Sequence, residues 1–271
     1  NGVALGGSPS EAALYGLLEL IERDAFLLFW YRQVKLRKIN SQTIGKELQE
    51  MIDNYETPHT KVHLFDMTIE IQIPTILCLV TSEDSNLASY ISTATHINPY
   101  IAIKNAIDEA IVGHAIYNTN PNIGKGQYKH YTDVKEMFDH IDFASSTSAI
   151  KNYDYITTQK ETYDVDDLYG DFKEEYGGLE KMDDVLKYVI QQKMYNHETI
   201  YFADLSTPFV TRYNLYSVKA IVPSMLTMSF GYGDARIHKQ RLISGIVQSK
   251  DYKSKAHIVE GEYYDKPHSF P

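Results

Sequence analysis

The stretch LYGLLELIERDAF at residues 14–26 sets Glu19, Glu22, Arg23 and Asp24 in the middle of a strongly apolar run. An unpaired carboxylate in an apolar core is costly, so these charges line either a solvated edge or a site. On a helix, Glu19 and Glu22 stand three apart and Glu19 and Arg23 four apart, so all three project from one side. Two carboxylates on adjacent turns suit a hard cation such as Mg²⁺, which takes oxygen ligands and shares them with phosphate. An arginine beside them can hold a phosphate through two N–H groups. The same spacing also fits a solvated stripe with one i,i+4 ion pair, worth roughly a few tenths of a kcal/mol. Spacing alone favours that simpler account. Asp108 and Glu109 repeat the pattern more weakly inside IAIKNAIDEAIV.

The elements that must carry these residues are legible in outline. Ser8 or Ser10 can cap a helix, Pro9 suits its first turn, and the pattern runs on to about Lys38. SQTIGKELQEMIDN (41–54) reads as a second helix. KVHLFDMTIEIQIPTILCLVTS, rich in β-branched residues and interrupted by Pro74, reads as two strands. A third helix spans 98–118, with Asn98 as cap and Pro99 in its first turn. Residues 119–177 are polar and Tyr-rich, with short helices expected near 133–141, and are expected to be a variable or mobile insertion. Beyond them come a helix (DDVLKYVIQQKMYN) and two strands (TIYFADLS and LYSVKAIVPSM). The irregular alternation indicates an α+β class with mixed helix and sheet layers. No fixed-period repeat or long linker divides the chain, so 1–271 is read as one domain.

Composition narrows the function classes. The 271 residues carry a formal net charge of −10, which argues against phosphate-backbone binding, so no nucleic-acid partner is expected. One cysteine, Cys78, excludes an internal disulfide and a cysteine-rich zinc site. It also points to a reducing, cytoplasmic setting. The longest apolar run, Ala12 to Tyr31, is broken by the charges above, so no membrane span is expected. IGKGQ at 123–127 lacks the spacing and hydroxyl of a phosphate-binding P-loop, and there is no G-x-S-x-G elbow. Phe26, Phe29, Trp30 and Tyr31 fall at helical spacing and are read as packing residues. The chain opens on Asn and in mid-motif, so a preceding segment is expected to be missing.

GGSPSEAALYGLLELIERDAF resembles the hallmark segment of the YcaO-domain family, in which a glycine-rich entry leads into a helix carrying E-x-x-E-R. NPYIAIKNAIDEA is similar to the family's second acidic helix, and DLSTP with VKAIVPSMLTMSFGYGDAR to its C-terminal strand and loop. The terminal KPHSFP resembles the proline-rich tail of the members that make azoline rings in peptides. The resemblance implies a YcaO-like fold and the use of ATP and Mg²⁺. A Cys, Ser or Thr side chain of a ribosomally made precursor peptide would attack the preceding amide carbonyl, whose oxygen is phosphorylated and lost, giving thiazoline or oxazoline.

By the same resemblance, Glu19, Glu22 and Glu109 would be metal ligands, and Arg23 a phosphate contact. Glu19, Glu22, Arg23 and Arg236 would together bind the nucleotide. Pro267, His268 and the terminal carboxylate of Pro271 would lie near the reacting amide. The implied partners are the precursor peptide and a protein that captures its leader; a homodimer stays open. The implied setting is bacterial maturation of a bacteriocin or a streptolysin-like toxin. Asn105 and Val112 stand where many members carry Arg and Gln, and Ser269 replaces a tail proline. These departures favour a second reading, a weakly active or inactive scaffold of the same fold. A thioamide-forming or methylthiolation accessory role is the third.

Overall fold

The computed structural model describes residues 1–124, 126, 128, 130–176, 178–179, 181–192, 199–249, 252, 255–259, 262–268 and 270, with backbone alone at 171–175 and 248. Strand β1 (Val3–Gly6) enters helix α1 (Pro9–Arg32), followed by the short β2 (Arg37–Lys38) and α2 (Lys46–Tyr55). A meander β3 (Thr60–Asp66), β4 (Thr75–Ser82) and β5 (Ser89–Thr95) leads into α3 (Pro99–Asn118). The polar middle forms short helices α4 (Met137–Phe143), α5 (Thr147–Ile150), α6 (Asp154–Thr157) and the longer α7 (Val165–Tyr176). The chain then runs through α8 (Met182–Gln191), β6 (Tyr201–Asp204), α9 (Pro208–Thr211), β7 (Tyr216–Ile221) and α10 (Lys239–Gln248).

Two antiparallel sheets, ordered β2-β3-β4-β5 and β1-β7-β6, are linked through α1. The period of two along β4 divides the core. Leu77 and Leu79 face α1 with Phe26, Phe29 and Trp30, while Ile76, Cys78 and Val80 face α2 and α3. On its first turns α1 packs Leu14, Leu17 and Ile21 against Val185 and Val189 of α8 and Ala220 of β7. Gly16 lets α1 approach closely: a Cβ there would stand 2.7 Å from the Gly2 carbonyl oxygen.

Helix α1 begins where its sequence says it should. Ser8 is extended, its hydroxyl accepts the Glu11 N–H at 3.2 Å, and Pro9 occupies the first turn. It stops at Arg32 rather than near Lys38, because Gln33 turns left-handed (φ 49°) and its amide closes back on Trp30. Val34 and Leu36 continue the apolar pattern in extended chain, fully buried. The expected second helix divides at Gly45 (φ 97°) into a 3-10 turn at Ser41–Thr43 and α2. Among the elements not anticipated are β1, β5, α10 and the twelve-residue α7, which lies in the stretch expected to be variable or mobile. β1 is four residues long, and β5 (SYISTAT) reads as polar although all seven residues are buried. α10 contains Gly245, a breaker in sequence terms, whose missing Cβ admits Leu28 of α1.

Asp24 is 2% exposed and held by Arg241 of α10, whose Nε donates to Asp24 Oδ1 at 3.0 Å. A second guanidinium nitrogen bonds Asp24 Oδ2, a third bonds Glu70, and the Leu226 N–H donates to Asp24 Oδ1 at 2.8 Å. Removing one partner of a buried pair leaves an uncompensated charge, so Arg241→Met is expected to lower the unfolding free energy by roughly 3–5 kcal/mol. Urea denaturation measures it, and a loss under about 1 kcal/mol would mean that the pair behaves as a solvated one.

Candidate functional site

Three of the charges singled out in the sequence converge. Glu22 leaves α1 toward the edge strand β5, where the Thr95 N–H donates to its Oε2 at 3.0 Å. Burial, together with the like charge of Glu109 across from it, pushes its carboxyl up to about 7; Arg23, Thr93 and the Thr95 amide act the other way. Glu109, at an exposed position on α3, is also raised by local desolvation, and again Arg23 opposes the shift. Glu22, Arg23 and Glu109 thus form one electrostatic cluster between α1 and α3. Burial first, then Glu109, raises the Tyr90 phenol, and the Tyr90 ring lies where a Cβ on Gly113 would be. Glu19 sits one turn back on α1, its Oε2 accepting the Gly2 N–H at 3.0 Å.

The C-terminal tail closes the other side of Arg23. The Arg23 guanidinium lies over the Phe270 ring, 4.2 Å from its centroid, and Phe270 in turn packs on Phe26 with centroids 4.8 Å apart. His268 is 2% exposed; burial, then His140 and, further down, Arg23, lower its pKa to about 3. Because a carbonyl oxygen only accepts, the contact of His268 Nε2 with Ser229 O at 3.0 Å places its proton on Nε2.

The last turn of α1 holds this tail. Trp30 Nε1–H donates to Lys266 O at 2.9 Å, and the Tyr264 N–H to Tyr31 O at 2.7 Å. The Arg32 guanidinium donates to the carbonyls of Val259 (2.9 Å), Ile258 (3.2 Å) and Glu262. Beside the tail lies a cavity of about 220 Å³ lined by Tyr31, His140, Tyr232, Tyr263, Lys266 and His268 among others.

Of the expected site residues, the structure brings together Glu22, Arg23, Glu109 and His268, with Pro267 buried next to His268. Arg236 stands apart: its side chain is exposed, and its backbone N–H donates to Ser229 Oγ at 3.4 Å on the loop that covers the tail. Pro271 and Ser269 lie outside the described residues. Reading the sequence missed His140, whose ring stacks on His268 with centroids 4.4 Å apart, and Arg32 as a tail clamp. It also missed Thr95, whose backbone amide carries no side-chain signal at all.

Among the described residues, no group of three or more His, Cys, Asp or Glu side chains forms a ready cage for a metal. Mg²⁺ does not need one, since it binds through one or two carboxylates with water and phosphate oxygens. The donor set fits it: Glu22 carries a raised pKa with a second acid across from it, a repulsion that a bound cation relieves.

The chain matches the family model described as YcaO cyclodehydratase, ATP- and Mg²⁺-binding, over residues 1–226. Among solved structures, a heterocyclase in complex with substrate and cofactor superposes with a TM-score of 0.69 at 20% identity, covering 100% of this chain and 33% of that one. YcaO from Methanopyrus kandleri, bound with AMPPCP and Mg²⁺, gives 0.63 at 16% identity, over 83% of this chain and 55% of that one. A chain of the E. coli microcin synthetase McbBCD complex with pro-MccB17 bound gives 0.58 at 16% identity, over 98% and 62%. At these identities the likeness is one of fold. The chain spans 20–37% of the length of the curated relatives it matches. The family match covers residues 1–226, well over half of the sequence, and this chain belongs to the YcaO family.

Proposed function

We propose that this chain carries the Mg-ATP site of a peptide cyclodehydratase. The observation that carries the reading is the meeting of Glu22, Arg23 and Glu109 with the C-terminal tail at a single arginine. Glu19, Glu22 and Glu109 are the residues that would hold Mg²⁺, and Arg23 the one that would meet the nucleotide phosphates. Bound Mg-ATP would supply the phosphoryl group that makes an amide oxygen a leaving group. A Cys, Ser or Thr side chain of the peptide adds to the preceding carbonyl carbon; that oxygen departs as phosphate, ATP becomes ADP, and an azoline ring remains. The tail residues Pro267 and His268, with Pro271 beyond them, would border the reacting amide. His268, held neutral by burial, adds no charge to that border near neutral pH.

The substrate is proposed to be a ribosomally made precursor peptide delivered by a leader-binding partner, as in maturation of a bacteriocin or streptolysin-like toxin in the bacterial cytoplasm. The microcin synthetase likeness, solved with its pro-peptide bound, supports this setting. Among the described residues no helix is long and apolar enough to cross a membrane. Asn105 and Val112 favour the second reading, a scaffold with weak nucleotide affinity. Both are exposed on α3 (Val112 53%), and at i−4 and i+3 from Glu109 they flank it on one face.

Two measurements bear on these readings. Calorimetric titration of Mg-ATP into the full-length protein is expected to show binding that Glu19→Ala and Glu22→Ala each abolish while the fold persists. Binding indifferent to both changes would remove the metal-ligand assignment and put the scaffold first.

The second follows from the Glu22 carboxyl, raised from 4.5 to about 7. A raised folded pKa favours the protonated group, so its contribution to stability is complete below pH 4.5 and is lost as pH rises through 7. In the absence of metal, Glu22→Gln is expected to flatten that decline and to leave the variant roughly 2–3 kcal/mol more stable at pH 8. Urea titrations from pH 4 to 8 decide it; parallel curves for parent and variant would mean that Glu22 is solvated.

A further inference from the structure

We infer that His140 is a positioning residue: it fixes the C-terminal tail against Arg23, so that the polar insertion helps set the geometry of the site. This rests on the reading of Arg23 as a phosphate contact. His140 is 2% exposed on α4, 128 residues before His268 in the chain. Both ring nitrogens have determined roles. The Gly231 N–H can only donate, so Nε2, 2.9 Å away, accepts. The proton is therefore on Nδ1, which donates to the His268 carbonyl oxygen at 2.5 Å. One imidazole thus ties the loop at Gly231 to the backbone of the tail, and it does so in a single neutral tautomer.

The surroundings leave the ring little freedom. It stacks on His268 with the planes 28° apart and meets Phe230 edge-on at 5.7 Å. Gly231 is itself locked to the insertion: its φ is 93°, and a Cβ would stand 2.5 Å from Lys135 O. The next residue, Tyr232, donates its N–H to Val134 O at 2.8 Å. His268, its side chain bonded to Ser229 O, then hands the constraint on through Phe26, which it meets edge-on at 5.9 Å and which packs at 4.8 Å on Phe270, the ring under the guanidinium of Arg23. The path from α4 to Arg23 is therefore contiguous: His140, His268, Phe26, Phe270, Arg23.

Trp30, the single tryptophan, reports on this tail because its indole N–H donates to Lys266 O and it packs on Tyr264 at 5.4 Å. His140→Phe keeps a ring for stacking and removes both hydrogen bonds. His140→Asn places an amide N–H near the former Nδ1 and so keeps the donor to the tail. With far-UV circular dichroism unchanged, His140→Phe is expected to shift Trp30 emission to the red and to increase its quenching by acrylamide. His140→Asn should restore most of the parent values.

Parent-like emission and quenching in a folded His140→Phe protein would overturn the inference. If that variant does not fold, His140→Asn decides alone: parent-like values support the inference, and fully red-shifted emission in a folded protein contradicts it. Mg-ATP titration of the parent is run beside these spectra. Absence of nucleotide binding would sink the proposed function, whereas the Trp30 signal judges the role of His140 independently.

Discussion

Placing acids on a helix as buried as α1 is the constraint around which the rest of the structure is arranged. Each acidic side chain of the α1 run meets its desolvation cost differently. Asp24 is neutralised by a guanidinium from α10 and a backbone amide, which pins α10 against α1. Glu19 takes an amide from the chain just ahead of β1. Glu22 has an amide from β5 and the adjacent Arg23, yet burial, and after it the facing Glu109, raises its pKa. The charges that looked alike in the sequence are thereby sorted: Asp24 ties the fold together, Glu19 holds the chain ahead of β1, and Glu22 is left facing Glu109.

The same helix sets distances. Glu22 and Trp30 are eight residues apart, about 12 Å along a helix axis. Over that span α1 passes from the acidic cluster to the clamp on the tail. The tail bends back along it, so that Phe270 returns to Arg23 while Lys266 stays at Trp30. A rigid helix therefore fixes where a chain end without regular secondary structure can lie. Arg32 completes the clamp by donating to three tail carbonyls.

Much of this was legible in the residues, and the failures have physical causes. Caps at Ser8 and Asn98, each followed by proline, located the starts of α1 and α3, because a cap is a local hydrogen bond. The end of α1 was not legible, since Val34 and Leu36 are buried as strand-like chain and hydrophobicity alone cannot tell the two states apart. β5 escaped because Ser89, Ser92 and Thr95 are satisfied by tertiary partners, such as Ser92 Oγ on Ala106 O at 2.6 Å. Glu22, Arg23 and Glu109 stood out as charges inside apolar runs, and the resemblance of their segments to the YcaO acidic helices, not their spacing, marked them as site residues, whereas His140 was hidden in a polar segment with nothing periodic around it. Its importance comes from a hydrogen bond 128 residues away, and no local pattern encodes that.

Functional and structural charge separate here by degree of compensation. A buried carboxylate matched by a guanidinium gains little from a further cation, and Asp24 is in that state with Arg241. Glu22 is not: one arginine is shared between it and Glu109, so a pair of acids faces a single positive group. Folding holds that deficit in place, because α1 and α3 are each fixed by their own packing on opposite faces of the larger sheet. A site for a cation and phosphates needs the same arrangement: acids close together on rigid elements, with one positive group between them. The tail over Arg23 limits which way that arginine can turn, and so joins the charge imbalance to the segment that is proposed to border the peptide.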